Sequence, residues 1–529
     1  MSNKPTIVVC DHIHESGLEI LKNTNDINYV FAADIDKIAL LDVIKDAQVV
    51  ITRSSTDVDE AFLNAGVNLK AIVRAGVGVD NVDINGCSQR GIIAMNVPTA
   101  NTIAATELTM THILSCMRKM PYAHAQLKNE RLWKREDWYG QELYGKKIGV
   151  IGFGNIGHRV ALRAKSFEAD VVTYDPYINP KKATDLGIEY TTNFNDILSC
   201  DIITIHTPKN SETINMITQK EIDKMKDGVI LINCARGGLY NEDDLYNNLK
   251  SGKIAMAGID VFNKEPATSN KLLDLDNIIV TAHLGANTVE SQYKIATEAA
   301  DNAIEAARGI GYPHALNLPI DETKIPSFVK PYLELTQKMA FTVAQMDKTA
   351  ISSIKVEAEG EIAQYLESLI TFATVGALTP SIGLEKINYV NATFVAKEKE
   401  IILETLENPN NSVYKNKVTI KVTTQNGVNK ISGTIFDEDV QRIVDINDYI
   451  VDVIPSGKMI LFKNSDVPGV IGHVGKILGD NNINIADFRL GRNKKGALAV
   501  IIVDDNITEA ILEELRNLDA AKAVYFVNI

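Results

Sequence analysis

Only five cysteines occur in the 529-residue chain, Cys10, Cys87, Cys116, Cys200 and Cys234, scattered and with no C-x-x-C pair. This excludes a disulfide framework and a cysteine-based zinc site, so reduced thiols and no metal are expected. No apolar run approaches the roughly 18 residues of a membrane span. After Met1-Ser2-Asn3-Lys4-Pro5 the run Thr6 to Cys10 is too short for a signal peptide and reads as a first strand. The expected location is therefore the cytoplasm, with no membrane partner. Positive charge is in deficit: 54 Lys+Arg against 68 Asp+Glu leave a net charge of -14. Such a field repels nucleic acid and acidic membranes alike. The 33 Gly and 15 Pro form no repeat, so collagen-like and low-complexity chains are excluded. What remains is an ordinary folded chain, 45% hydrophobic and 23% charged, too long for one core. At roughly 100 to 200 residues per domain it divides into about three or four.

Along the first hundred residues, short β-branched runs (Thr6 to Cys10, Gln48 to Thr52, Leu69 to Arg74) alternate with helix-compatible stretches, the pattern of a parallel sheet. A more regular series follows: Ile148–Ile151, Asp170–Asp175, Ile202–Ile205, Val229–Ile232, Met256–Asp260 and Ile278–Thr281. Nearly continuous apolar strands at helix-length intervals suit a doubly wound sheet buried on both faces. Thr288 to Gly309 is helical, and Asn317-Leu318-Pro319-Ile320 reads as a linker. Beyond it Ser353–Ala358 and Lys417–Thr423 alternate polar and apolar residues, as strands open on one face, and Asn426-Gly427 is expected to form a hairpin turn with positive φ. From Met459 the order reads βαββαβ, a ferredoxin-like sandwich.

Gly152-Phe153-Gly154-Asn155-Ile156-Gly157 follows a strand and opens a helix. That spacing serves a dinucleotide: one glycine for the turn, one for approach to the pyrophosphate, one for helix–strand packing. Asp175 ends the next strand, placed to accept from ribose hydroxyls, and an acid there favours NAD over a 2′-phosphorylated cofactor. Three polar residues then follow at successive strand ends: Arg236, Glu265 and His283. Singly, each has a bland explanation as a surface ion pair, a loop acid or a satisfied histidine. Beside a complete dinucleotide motif they fit the oxidation of a 2-hydroxy acid. His283 removes the hydroxyl proton, Glu265 fixes the imidazole, and Arg236 clamps the carboxylate. Cys234 reads as a small strand-end residue and His206 as part of the cofactor cleft. Arg53 and Arg74 add surplus positive charge, which implies a second anionic group on the substrate.

These segments, with Ile51-Thr52-Arg53-Ser54, Arg74-Ala75-Gly76-Val77-Gly78-Val79-Asp80-Asn81 and Pro98-Thr99-Ala100-Asn101, make the chain resemble the D-isomer-specific 2-hydroxyacid dehydrogenase family over essentially its whole length. The resemblance is to the long form that ends in an ACT domain. It implies a flavodoxin-like substrate domain (1–100 and 290–318, with a returning helix from about Ser291 to Ile310) into which a Rossmann-type NAD domain (101–289) is inserted. An α+β intervening domain (319–456) and an ACT domain (457–529) follow. It also implies cofactor contacts from the Phe153 to Ile156 loop, Asp175, Thr207, Cys234, Asp260 and Gly285, and substrate contacts from Arg53, Ser54, Arg74, Gly76, Gly78 and Asn101. Trp133-Lys134-Arg135 resembles a segment that reaches a neighbouring subunit's cleft. Asp466 and Asn484 are the implied contacts for an L-serine effector. A homodimer or homotetramer is expected, as is NAD-dependent oxidation of 3-phospho-D-glycerate to 3-phosphooxypyruvate, which opens L-serine synthesis. Two other readings stay open. A glyoxylate or hydroxypyruvate reductase of the same fold needs neither the extra arginines nor the C-terminal domains. An NAD-responsive corepressor-like binding protein needs no catalytic trio.

Overall fold

The computed structural model describes residues 4–318, 325–347, 349–383, 386–408 and 413–529; Pro319 and Ile320 of the expected linker lie outside them. Five short apolar runs form the first sheet: β1 (Thr6–Val9), β2 (Asn28–Phe31), β3 (Val49–Thr52), β4 (Ala71–Arg74) and β5 (Ile93–Asn96). They are parallel, in the flavodoxin-like order β2-β1-β3-β4-β5. The chain returns to this sheet late. Helix Val289–Arg308, capped by Thr288 and stopped at Gly309 with φ 67°, lays Ile295, Ala299 and Ala303 against Ile7, Val49 and Val73. Gly17 permits this approach, because a Cβ there would stand 2.5 Å from the Ala296 carbonyl oxygen.

Between the two halves is a second parallel sheet: β6 (Lys147–Ile151), β7 (Asp170–Tyr174), β8 (Glu189–Thr191), β9 (Ile202–Ile205), β10 (Val229–Asn233), β11 (Ile254–Ile259) and β12 (Ile278–Val280). Its order is β12-β11-β10-β9-β6-β7-β8, so the strand order reverses between β6 and β9. Ligands bind beyond the strand ends at such a switch point. This is a Rossmann-type sheet, and β8 is the strand the apolar pattern did not indicate.

The third sheet comprises β13 (Ile351–Glu359), β14 (Ile402–Glu407), β15 (Lys417–Thr424), β16 (Gly427–Phe436), β17 (Val440–Ile446) and β18 (Tyr449–Val453), in order β14-β13-β15-β16-β17-β18. Helices Val329–Met346 and Leu366–Ile382 cover it. They pack closely at Gly376, where a Cβ would lie 2.2 Å from the Gln337 carbonyl oxygen. The Asn426-Gly427 turn is corrected. The loop between paired Thr424 and Gly427 is Gln425-Asn426, and of Asn426 and Gly427 only Gly427 has positive φ. The two-residue turn with both centres at positive φ is Asn447-Asp448, at 50° and 69°, joining β17 to β18.

The last sheet, β19 (Lys458–Asn464), β20 (Ile485–Asn493), β21 (Gly496–Val503) and β22 (Ala521–Asn528), is antiparallel in order β20-β21-β19-β22. With helices Val470–Asp480 and Glu509–Arg516 it completes the βαββαβ sandwich. The central strands β19 and β21 are buried on both faces. Ile460, Phe462, Ile501 and Val503 meet its own helices, while Met459, Leu461, Val500 and Val527 join the core of the preceding unit. Period-two alternation with apolar residues at every position produces this. Among the described residues, no helix is long and apolar enough to cross a membrane.

Candidate active site

The glycine loop is built as its spacing requires. Gly152 has φ 86°, and a Cβ there would stand 2.6 Å from the His206 carbonyl oxygen, so the chain leaving β6 passes the chain leaving β9 only over a glycine. At Gly157 a Cβ would stand 1.9 Å from the Gly152 oxygen, which makes that glycine the one that packs helix on strand. Over Gly154 nothing lies within 4 Å, and the space is free for a pyrophosphate. Beside the loop, a pocket of about 370 Å³ is lined by Gly152, Gly154, Asp175, Tyr177, His206, Thr207 and Glu212. Asp175 accepts from the Phe153 N–H (2.8 Å) and the Tyr177 N–H (3.0 Å), which anchors the loop and leaves acceptor sites toward the pocket. The Thr207 hydroxyl is buried with no partner among the described residues. An open glycine, an unpaired hydroxyl and an anchored carboxylate fit a dinucleotide with free ribose hydroxyls. His206 is held neutral, because burial pushes its pKa down to about 3, and it bonds the Thr204 hydroxyl at 2.9 Å.

Between the two parallel sheets is a cleft of about 490 Å³. Its walls include Arg53, Ser54, Arg74, Gly76, Gly78, Asn101, Arg236, Glu265 and His283, so all the substrate and catalytic candidates share one cavity. His283 follows β12 with φ 53°, an unusual conformation for a residue with a Cβ. Its Nδ1 meets Glu265 Oε2 at 2.8 Å, which leaves Nε2 free for the cleft. The other Glu265 oxygen accepts the Phe262 N–H at 3.0 Å. Burial opposes the Glu265 carboxylate. The hydrogen bonds from His283 and Phe262 and the charges of His283 and Arg236 outweigh it, holding its pKa below the usual glutamate range.

Three guanidinium groups face this pair. Arg236 Nε lies 3.2 Å from Asp80 Oδ2. Arg53 is steadied by the His12 carbonyl (3.0 Å), and its own N–H donates to the buried Asp11 carboxylate. Arg74 is the least satisfied: its Nε is buried without a partner among the described residues, and Nη1 reaches the Ala75 carbonyl at 3.3 Å. Burial first, then the charges of Arg236 and Arg53, hold its pKa down to about 10. The glycines make room for these groups. A Cβ on Gly76 would lie 1.7 Å from Arg74 Nη1, and one on Gly78 would lie 2.3 Å from Arg236 Nη2. Asn101 Oδ1 is also buried and has no partner among the described residues, at the start of helix Thr102–Arg118. Sequence reasoning missed Asp11 and Asp80 as the partners of Arg53 and Arg236. Their position just past strand-like runs was the available signal.

Other candidates lie differently. The Asp260 carboxylate is fully buried and accepts the N–H groups of Leu284 (2.7 Å) and Gly285 (3.0 Å), so it holds the loop that carries His283. Cys234 is buried, and burial followed by Asp260 pushes its thiol far up, so it stays protonated. Trp133, Lys134 and Arg135 are exposed and do not line their own chain's cleft. Asp466, with φ 56°, pairs with Arg492 at 3.3 Å, and Asn484 donates to Asp504 at 2.6 Å. These two stand near opposite ends of β19, roughly 20 Å apart at strand spacing. One chain therefore does not bring them together.

Three family models match in succession: the D-isomer specific 2-hydroxyacid dehydrogenase NAD binding domain over residues 110–285, the D-3-phosphoglycerate dehydrogenase intervening domain over 328–447, and the ACT domain over 458–520. The chain is 36% identical over 529 residues to D-3-phosphoglycerate dehydrogenase of Bacillus subtilis (strain 168), covering 99% of each chain. It is 37% identical over 530 residues to D-3-phosphoglycerate dehydrogenase of Methanocaldococcus jannaschii, again covering 99% of each. Among solved structures it is similar to D-lactate dehydrogenase from Aquifex aeolicus complexed with NAD and lactic acid, at 27% identity and a TM-score of 0.51. That match covers 58% of this chain and 96% of the other.

Proposed function

The chain belongs to the D-isomer specific 2-hydroxyacid dehydrogenase family, among the D-3-phosphoglycerate dehydrogenases, and from that premise we propose how its residues carry out NAD-dependent oxidation of 3-phospho-D-glycerate to 3-phosphooxypyruvate. Bound NAD supplies the hydride acceptor. Gly152 to Gly157 offer backbone N–H groups to its pyrophosphate, Asp175 accepts from the ribose hydroxyls, and Thr207 gives its unpaired hydroxyl to the same cleft. Arg236 takes the substrate carboxylate and orients C2. His283 Nε2 accepts the proton of the C2 hydroxyl as the C2 hydrogen leaves with its electron pair, so the alcohol becomes a ketone. Glu265 keeps the imidazole in the tautomer with Nε2 bare and stabilises the imidazolium that forms. Arg53 and Arg74 receive the phosphate. The observation that carries this reading is the half-buried Arg74 guanidinium, its Nε buried without a partner among the described residues, repelled by two other arginines in the same cleft as the His283–Glu265 pair. A dianion relieves that arrangement, and a neutral substituent at C3 does not. This separates the reading from a glyoxylate or hydroxypyruvate reductase.

The product suits the first step of L-serine synthesis, with L-serine as effector of the ACT module. We infer that two copies pair antiparallel through the edge strand β20, an arrangement that would bring Asp466 of one copy toward Asn484 of the other and complete the effector site in a homodimer. Initial rates with 3-phospho-D-glycerate and D-glycerate, with and without L-serine, test the whole. The phosphorylated acid is expected to win by at least about 10²-fold in kcat/KM; equal rates sink the phosphate assignment. The His283→Ala variant is expected to lose roughly 10² to 10⁴ in turnover, and wild-type turnover in it removes His283 as base.

A further inference from the structure

A buried polar chain behind the cleft ends on the loop that carries His283. Asp260 collects three successive backbone donors from that loop: its carbonyl oxygen takes the His283 N–H (2.9 Å), Oδ1 the Leu284 N–H (2.7 Å) and Oδ2 the Gly285 N–H (3.0 Å). A carboxylate with such partners is an acceptor only. The Thr281 hydroxyl, 2.6 Å from Oδ1, therefore donates to it. That hydroxyl also meets His112 Nε2 at 2.9 Å, and with its one proton already committed it must accept there. His112 is thereby fixed as the neutral tautomer protonated on Nε2, with a bare Nδ1 that is buried and has no partner among the described residues. Burial lowers its pKa more than Asp260 raises it. Its ring fits over Gly258, where a Cβ would stand 3.0 Å from Nδ1.

We propose that His112 is a positioning residue for the dehydrogenation: through Thr281 and Asp260 it holds the 283–285 backbone so that His283 keeps φ 53° and its contact with Glu265. The inference rests on the assignment of His283 as base. It adds a residue from the middle of the helix Thr102–Arg118, far from His283 in sequence, that reaches the His283 loop through the relay.

Three variants of the full-length protein test it: His112→Leu, which keeps bulk and loses the donor; His112→Gln, which keeps an N–H; and Thr281→Val, which breaks the next link at constant volume. His112→Leu and Thr281→Val are each expected to lower kcat about tenfold, the worth of one buried hydrogen bond, with the KM for 3-phospho-D-glycerate within twofold of wild type. His112→Gln is expected within threefold of wild type. In a His283→Ala background His112→Leu is expected to cost less than twofold further, since its effect travels through the missing imidazole. A full tenfold loss in that background, a Gln variant as slow as Leu, or wild-type kcat in both relay variants overturns the proposal. Selective ¹⁵N labelling of histidine, with the His112 signals assigned by their loss in the Gln variant, is expected to show the Nε2-protonated neutral ring near pH 7. The Nδ1-protonated form overturns the relay whatever the rates show. Failure of the base assignment is distinguishable, because it appears as wild-type turnover in His283→Ala alone and leaves the tautomer unchanged.

Discussion

Replacing Arg74 by methionine separates what the protein gains from that arginine from what it costs. The guanidinium stays charged at any working pH, yet burial and the charges of Arg236 and Arg53 hold its pKa down to about 10. Each tenfold change in proton affinity is about 1.4 kcal/mol, so the ligand-free fold carries roughly 3 kcal/mol of unfavourable environment; solvent in the open cleft screens this to about 1–2 kcal/mol. Methionine replaces the aliphatic stem and removes the charged guanidinium. Arg74→Met is expected to raise the melting temperature of the ligand-free protein by about 2–6 °C. Catalysis moves the other way. Losing one partner of a desolvated charge pair costs about 2–5 kcal/mol, at 1.4 kcal/mol per tenfold. In an NADH absorbance assay, kcat/KM for 3-phospho-D-glycerate is therefore expected to fall by roughly 30- to 4,000-fold. For D-glycerate it should change less than about threefold. Gly76→Ala should act in the same direction, since its Cβ would stand 1.7 Å from Arg74 Nη1 and displace the group. An equal loss on both acids would place Arg74 at the carboxylate. A lower melting temperature with unchanged phosphate preference would refute the reasoning altogether.

Asp175→Asn loses the charge and keeps only one of the two loop bonds, because the Phe153 and Tyr177 N–H groups bond different carboxylate oxygens and the amide has a single one. The ratio of kcat/KM with NAD to that with NADP is expected to fall roughly tenfold or more, and an unchanged ratio would remove Asp175 as the selecting residue. Glu265 gives a pH signature. Its folded pKa is lowered, so the stability its ionisation contributes is fully present above the ordinary glutamate range and is lost as pH falls through the lowered value. Melting curves of wild type and Glu265→Gln are expected to differ near pH 7 and to converge only once pH falls below the ordinary glutamate range; a gap that widens in acid contradicts the assigned cause.

The parts of this fold that were legible in the sequence are those where one residue type has one structural use. Gly152, Gly154 and Gly157 are such a case, as is the apolar series from Ile148 to Thr281, because a parallel strand buried on both faces tolerates little else. The strands β14, β17 and β18 were not read. Ile402–Glu407 is an edge strand exposed along almost its whole length, so no apolar face marks it, and its pairing with β13 is parallel and distant in sequence. Tyr449–Val453 alternates cleanly between buried and exposed and follows Asn447-Asp448 at positive φ, a signal that was present and passed over for Asn426-Gly427. Within the site, chemistry-bearing residues at strand ends were legible, but the groups that hold them were not. Asp11, Asp80 and the His112–Thr281–Asp260 relay act through contacts between distant segments, and no spacing along the chain encodes those.

The charge balance shows the same division between what is global and what is local. A net charge of -14 spread over 529 residues is screened within about 8 Å at physiological salt, so it sets the repulsion felt by a long polyanion and little else. Inside the cleft the count is different: Arg53, Arg74 and Arg236 stand together against Asp11, Asp80 and Glu265, and each of those acids is already committed, to the Arg53 N–H, to Arg236 and to His283. What an incoming anion meets is therefore the uncompensated remainder, chiefly Arg74. The glycines at 76 and 78 allow that remainder to exist, since any side chain there would occupy the positions of the guanidinium nitrogens. Selectivity for a phosphorylated acid is in this sense a property of two missing side chains as much as of three arginines, and it survives in an acidic protein because the relevant distances are shorter than the screening length.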